Sequence, residues 1–336
     1  MLMAVTPQTN ATMEEIAQVI REGSSFVLCG HVGPDADCIG SQLSLWHALK
    51  ALGKQATCVL VKDVPLPAGL SFMPGAEEMI PAERYQGTPD VFLGIDVPVR
   101  GRIGEAACSI LDGAATSITI DHHSSNERMC DYAYIDPDSA SASILVWEVV
   151  KLLCENPPVE SAYCAYAGLV GDTGGFRYQN SDAVAFRAAS ELVTYDFDPA
   201  SVASHLYQSR TLASVKLAAP AIEHMVINAE GTYALSWVTI EDLQAVEAQE
   251  SDTEPLIDVL RSLAGIRVAC MMREKEDEVR VSLRAKDDTD VSVLARELGG
   301  GGHCAAAGLT LHLPIDGAIA LMLEKLDALV KTGPED

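Results

Sequence analysis

A chain of 336 residues is long enough for two domains, each with its own core, and 48% hydrophobic residues exclude a disordered chain. A formal charge of −25 argues against a protein that grips long duplexes through a basic surface, because phosphate contacts need Lys and Arg. It leaves room for a small anion in a pocket that bound cations make locally positive.

In chain order, residues 24–30 read as a strand, 39–52 as a helix and 56–61 as a second strand. Strand patterns follow at 91–96 and 116–121, and helical patterns at 140–154 and 162–170. Such alternation predicts an α/β fold, a parallel sheet with helices on both faces, which collects ligands at the carboxyl ends of its strands. The alternation fades after residue 192. The polar helical stretch 201–219 reads as a linker between a domain over 1–200 and a smaller α/β domain over 220–336. In the latter, strands are expected at 225–228, 232–238, 266–272 and 278–285, and helices at 257–263, 291–298 and 315–330. The acidic run EKEDE (274–278) reads as a solvated hairpin turn. No apolar run approaches the ~20 residues of a membrane span, and the start lacks a basic segment followed by an apolar one. The nine cysteines form no CxxC. The expectation is a cytoplasmic chain with free, buried thiols.

Three predicted strands end in metal-competent residues. His31 and Asp35 follow the first, in HVGPDADCIGS (31–41); Asp96 ends VFLGID; Asp121, His122 and His123 follow TSITI. Asp is a common turn former and helix cap, and a lone His after a strand is more often a loop residue than a ligand. The combination carries more weight. His31, Asp35 and Asp37 share one tight turn, and Asp172 follows in GDTGGF (171–176). Four carboxylates in one cleft repel unless protons or cations neutralise them. Two divalent ions would balance Asp35, Asp37, Asp96 and Asp172. Imidazole with carboxylate suits Mn2+ better than Ca2+, and the motifs offer no thiolate to favour zinc. Such a pair of ions can activate water and clamp a phosphoryl oxygen. Cys38 is expected to pack rather than react, although a helix start can lower a thiol pKa.

HVGPDADCIGS, GID (94–96), DHH (121–123) and GDTGGF resemble, in this order and spacing, the four motifs of the DHH phosphoesterase superfamily. The resemblance implies dependence on two Mn2+ or Mg2+ ions. It implies His31, Asp35 and Asp96 as ligands of one ion, and Asp37, Asp96, His122 and Asp172 as ligands of the other, with Asp96 bridging. Asp121 would hold the loop geometry. His123 would contact the reacting phosphate and serve as a proton donor. Arg102, six residues after Asp96, would orient the loop or meet a phosphate; a plain surface arginine is the alternative. Where the family often has Asn and Ala, this chain has Gly33 and Cys38, neither of them a ligand position.

The second domain carries VRVSLRAK (279–286) and GGGGHCAAAG (299–308). A glycine run lets backbone N–H groups approach an anion, and Arg284 and His303 supply charge-assisted donors. The plain alternative is a glycine turn. A Walker A loop is excluded because no Lys-Ser/Thr follows the glycines. These motifs resemble the DHH-associated carboxyl-terminal domain. That resemblance implies substrate binding by Arg284, Gly300, Gly301, Gly302 and His303.

Within the superfamily, the resemblance narrows to the nano-RNase/pAp-phosphatase group. No pyrophosphatase-type basic motif, added nucleic-acid barrel or preceding membrane spans are found. It implies hydrolysis of very short RNA to nucleoside 5′-monophosphates, and of 3′-phosphoadenosine 5′-phosphate (pAp) to AMP. Partners would be short single strands or small nucleotides, with no duplex DNA and no membrane, and a homodimer is a further expectation. The alternatives are a cyclic di-AMP or pApA phosphodiesterase and a nucleotide-binding sensor without turnover. His47, His205, His224 and His312 are assigned to surface or core.

Overall fold

The computed structural model describes residues 6–67 and 69–331. The chain divides into two compact units between Ser209 and Arg210.

The first unit runs α1 (Met13–Glu22), β1 (Ser25–Cys29), α2 (Ala36–Ala51), β2 (Gln55–Leu60), β3 (Ile80–Pro81), β4 (Val91–Ile95), α3 (Gly104–Gly113), β5 (Thr116–Asp121), β6 (Tyr132–Ile135), α4 (Ala142–Leu153), α5 (Val159–Asp172), α6 (Ala183–Leu192) and α7 (Pro199–Tyr207). Its six strands form one sheet in the order β3-β2-β1-β4-β5-β6, and every pairing is parallel. The central strands are apolar at successive positions because both faces are covered. Phe26, Leu28, Leu93, Ile95, Ile118 and Ile120 pack into the core that α1, α2, α4 and α5 share. Val27, Cys29 and Phe92 pack into the opposite core with Ala107 and Leu111 of α3. The strand order reverses between β1 and β4. At such a switch point the loops leaving the two carboxyl ends part and open a crevice, the usual ligand position in this class of sheet.

The second unit comprises α8 (Leu212–Lys216), α9 (Ala218–Glu223), β7 (Val226–Ile227), β8 (Tyr233–Val238), α10 (Ile240–Ala245), α11 (Leu256–Arg261), β9 (Val268–Glu274), β10 (Val279–Ala285), α12 (Val291–Glu297), β11 (Gly301–His303), β12 (Ala306–Leu311) and α13 (Ile315–Lys331). The sheet order is β11-β12-β10-β9-β8-β7. It is antiparallel except for β8 with β9. Alternation along β10 sends Val279, Val281 and Leu283 into the core with α12 and α13, and leaves Arg280, Ser282 and Arg284 on the other face. The acidic turn is Lys275–Glu278, where the Lys275 N–H donates to the Glu278 carbonyl at 2.8 Å. The stretch expected as a linker is helical, as α7, α8 and the start of α9, and the division between units falls inside it. Among the described residues, no helix is long and apolar enough to cross a membrane.

Candidate metal centre

β1 delivers the chain to Gly30, and Asp35 then caps α2 by accepting the Cys38 N–H on Oδ1 at 2.9 Å. His31 is buried between. Its Nδ1 lies 3.1 Å from the Val32 carbonyl. Nε2 faces Asp96 Oδ2 at 3.4 Å and Asp35 Oδ2 at 3.8 Å. Arg102 Nη2 reaches the same carbonyl at 3.1 Å and lies 3.2 Å from His31 Nδ1. The arginine therefore braces the His31 loop.

β4 ends at Ile95, and Asp96 takes a left-handed backbone, φ 57°, while its N–H donates to Ile120 O at 3.0 Å. Asp tolerates this region better than most residues, and such outliers concentrate at functional sites. From β5, His122 repeats the His31 arrangement. Nδ1 lies 3.2 Å from the Ser139 carbonyl, and Nε2 faces Asp96 Oδ1 at 3.5 Å, Asp37 Oδ2 at 3.8 Å and Asp172 Oδ2 at 4.0 Å. Both imidazoles thus set Nδ1 against a backbone carbonyl and turn Nε2 toward carboxylates, the arrangement of metal-ligating histidines.

The amino end of α4 supports Asp37. The Ala142 N–H donates to Oδ2 at 2.7 Å and the Ser143 N–H to Oδ1 at 2.9 Å, and the Ser143 hydroxyl also donates to Oδ1. Gly168 of α5 packs against this contact: a Cβ there would lie 1.8 Å from Ser143 Oγ and 2.9 Å from Asp37 Oδ1. Asp172 closes α5, and Asn180 Nδ2 bridges its Oδ2 at 3.3 Å to the Ala140 carbonyl at 3.0 Å.

The buried carboxylates call for a proton or a cation. Asp96 is 2% exposed. Burial pushes its carboxyl well above the usual range, and Asp37, Asp35, Asp121 and Asp172 push it further. Asp37 is likewise raised by burial, against the pull of His122 and the Ser143 bonds. Asp96 Oδ1 is buried and accepts no hydrogen bond, which costs roughly 1–3 kcal/mol for such a group. Divalent ions supply both missing things, a partner for that oxygen and positive charge for the cluster. The donor set fits the implied metal pair.

The structure brings His31, Asp35, Asp37, Asp96, Asp121, His122, His123 and Asp172 together at these strand ends. His123 Nδ1 lies 2.7 Å from Asp121 Oδ1 and 3.5 Å from Asp96 Oδ1. Cys38 is packed, as expected. Burial, with Asp96 and Asp35 nearby, raises its thiol well above 9.0 rather than lowering it. Its Sγ also belongs to a group with His31 and Asp96 whose ligand atoms lie within 4.8 Å of one another, so the motif does offer a thiol. Sequence reasoning missed Ser143, Asn126 and Asn180, which orient the carboxylates. His47 sits by the Pro74 carbonyl, His205 stacks on Phe72, His224 on Trp237, and His312 is exposed.

In the second unit, Arg284 lies on the Ser282 face of β10, and its Nη1 donates to Leu283 O at 3.0 Å. Arg273, unremarked in the sequence, stands opposite Arg280 and donates to Ser282 Oγ at 2.9 Å. Gly301 and Gly302 are strand residues paired with Gly308 and Ala307. A Cβ on Gly302, φ 140°, would meet Ala306 O at 2.4 Å, and one on Gly300 would meet Gly308 O at 2.2 Å. Close strand approach therefore requires these glycines independently of any ligand. The His303 side chain lies outside what the structure describes.

The model of the DHH family, N-terminal domain, matches residues 25–170, and that of the DHHA1 domain matches residues 238–332. Over 98% of each chain, the sequence is 31% identical to the bifunctional oligoribonuclease and PAP phosphatase NrnA of Thermus thermophilus. The chain belongs to the DHH family. Its similarity to NrnA of Bacillus subtilis is 27% identity over 89% of this chain and 93% of that one. The crystal structure of an exopolyphosphatase-related protein from Bacteroides fragilis superposes with a TM-score of 0.87 at 26% identity, over 94% of this chain and 95% of the other. The DHH-family match ends just before Asp172, so GDTGGF enters the centre by geometry, through His122 and Asn180.

Proposed function

We propose that this chain is a divalent-metal-dependent hydrolase that releases nucleoside 5′-monophosphates from very short RNA and AMP from pAp, with Mn2+ as the working ion. The observation that carries the reading is the buried Asp96 Oδ1, without a hydrogen bond, among carboxylates and imidazoles at the switch point of the sheet. The full-length likeness to NrnA supports the substrate class, and favours it over a cyclic di-AMP or pApA phosphodiesterase.

His31, Asp35 and Asp96 would hold one ion, and Asp37, Asp96, His122 and Asp172 the other. When bound, such a pair supplies charge for phosphoryl oxygens and a water nucleophile near neutral pH. His31 and His122 present Nε2 to the carboxylates because each Nδ1 is turned to a backbone carbonyl. Asp121 holds His123 in the tautomer whose Nε2 exchanges a proton with the phosphate or its leaving oxygen. Asp37 keeps its place through the α4 amino end, whose partial positive charge favours the ionised form. Arg284, His303 and the backbone of Gly300, Gly301 and Gly302 would bind a substrate phosphate.

A side-by-side turnover assay tests the reading, with Mn2+ and pAp, pApA, cyclic di-AMP and 5′-phosphorylated di- to pentaribonucleotides. Mononucleotide release from the short RNAs, with AMP from pAp, is the expected result. Turnover confined to cyclic di-AMP would overturn the substrate assignment. Binding of Mn2+ without any turnover would overturn the enzyme in favour of a sensor. Arg284→Ala should raise KM about tenfold, typical of one lost charge-assisted contact, with kcat little changed.

A further inference from the structure

Cys38 is fully buried at the start of α2. Its thiol has poor company. The His31 carbonyl is 4.0 Å away and Gln42 Nε2 3.6 Å, both weak partners for sulfur. On one side the sulfur fills the space that a side chain at Gly30 would need, since a Cβ there would lie 2.2 Å from Sγ. On the other it meets donors: Sγ, a His31 ring nitrogen and an Asp96 carboxylate oxygen lie mutually within 4.8 Å. Donors about 2.0–2.3 Å from a tetrahedral ion stand roughly 3.5 Å from each other. Rotations that move these atoms by about an ångström would close them on one ion. The buried Asp96 carboxylate turns Oδ2 toward His31 Nε2 at 3.4 Å and leaves Oδ1, on the His122 side, without a hydrogen bond.

We propose that Cys38 Sγ is a further donor to the ion held by His31 and Asp96, giving that position a mixed nitrogen, oxygen and sulfur set that prefers Zn2+ and Co2+ to Mn2+. The inference rests on the metal-centre reading above. Thiolate is the softest side-chain donor and selects zinc-like ions over the hard ions that carboxylates serve. On binding, the S–H bond gives its proton to solvent and the sulfur lone pair goes to the ion, so no oxidant or reductant is involved.

The test is a Co2+ titration of the full, metal-stripped chain, read by absorption in the absence of substrate. Thiolate ligation adds a sulfur-to-cobalt charge-transfer band in the near ultraviolet to the visible d–d bands. Wild type should show both. Cys38→Ala and Cys38→Ser should keep the d–d bands and lose the charge-transfer band. In chelator competition, both variants should bind Zn2+ about tenfold or more weakly, at the scale seen when a metal site loses a supporting group, with Mn2+ affected less. Visible bands without charge transfer in wild type would overturn the thiolate and leave the metal centre standing. A charge-transfer band that survives in Cys38→Ala would assign it to another cysteine and overturn the proposal equally. Failure to take up Co2+ at all would overturn the centre itself. The wild-type spectrum decides without any variant, so a poorly folding variant does not remove the test.

Discussion

Asp121 Oδ1 lies 2.7 Å from His123 Nδ1, and this bond fixes which nitrogen of His123 carries the proton. Asp121 is fully buried, and burial alone would raise its pKa. The bond and charge of His123, the charge of His122 and the bond from Asn126 reverse that and hold the carboxyl below its usual range. Asp121 also accepts the His122 N–H at 2.9 Å and Asn126 Nδ2 at 2.5 Å. An ionised carboxylate only accepts, so Nδ1 of His123 carries the proton.

Asp121→Asn should therefore damage turnover more than binding. The amide can donate to Nδ1 and drive the proton to Nε2, the wrong tautomer for general acid–base exchange. The expected loss is about 10²–10⁴-fold in kcat, with the Mn2+ affinity measured by calorimetry within a few-fold of wild type. A parallel collapse of Mn2+ binding would show that Asp121 holds the metal ligands rather than the tautomer.

Asp96→Asn should act with opposite signs in two solutions. With chelator, it removes a buried carboxylate that Asp37, Asp35, Asp121 and Asp172 oppose, so the melting temperature should rise. With saturating Mn2+, it removes the proposed bridging ligand and forfeits the stabilisation by bound ion, about 2.7 kcal/mol at one hundred times the Kd. Two melting curves decide it; a variant destabilised equally in both solutions would make Asp96 a structural residue only.

The metal-competent residues were legible because each is local to a motif at a strand end, where carboxylates and imidazoles are out of place as mere turn formers. Their supports were not. Ala142 and Ser143 lie 105 and 106 residues from Asp37 in sequence, and serines and alanines in SASAS announce only a helix start. One signal was present: Ser141 caps the predicted helix, and a helix start with small residues is an anion partner in waiting. Among the elements, α1 went unread although Thr12 and Glu15 form a capping box. The four-residue β6 offers too little alternation to register. In the second unit, part of the glycine run read as an anion-binding segment is β11, because glycine permits the close approach to β12.

Ser143→Ala removes one of the three donors to Asp37 and leaves both backbone N–H groups in place. Stability should fall by about 1 kcal/mol and Mn2+ affinity by up to about tenfold. Gly168→Ala should cost more, about 1–3 kcal/mol, from overpacking against the same serine. The double variant should recover part of that loss, because the atom that the new methyl strikes first is Ser143 Oγ. Simple additivity in urea denaturation would rule out the shared contact.

His122 makes metal binding pH-dependent in a calculable direction. Burial alone would lower its pKa, but Asp172, Asp37 and Asp121 hold it up at about 9 in the metal-free chain. An ion at Nε2 must displace that proton. Mn2+ affinity should therefore climb from neutral pH toward about 9 and flatten above it, with His122 releasing close to one proton per chain at neutral pH. Folding linkage runs the other way. A histidine raised above its ordinary 6.5 contributes stability that is full below 6.5 and lost as pH rises through about 9. In chelator, melting should weaken over the window in which Mn2+ binding strengthens. Calorimetry in two buffers of different ionisation enthalpy reads the released proton directly, and His122→Asn should abolish both the slope and the release. An Mn2+ affinity that stays flat from neutral pH to about 9 would remove His122 from the ligand set.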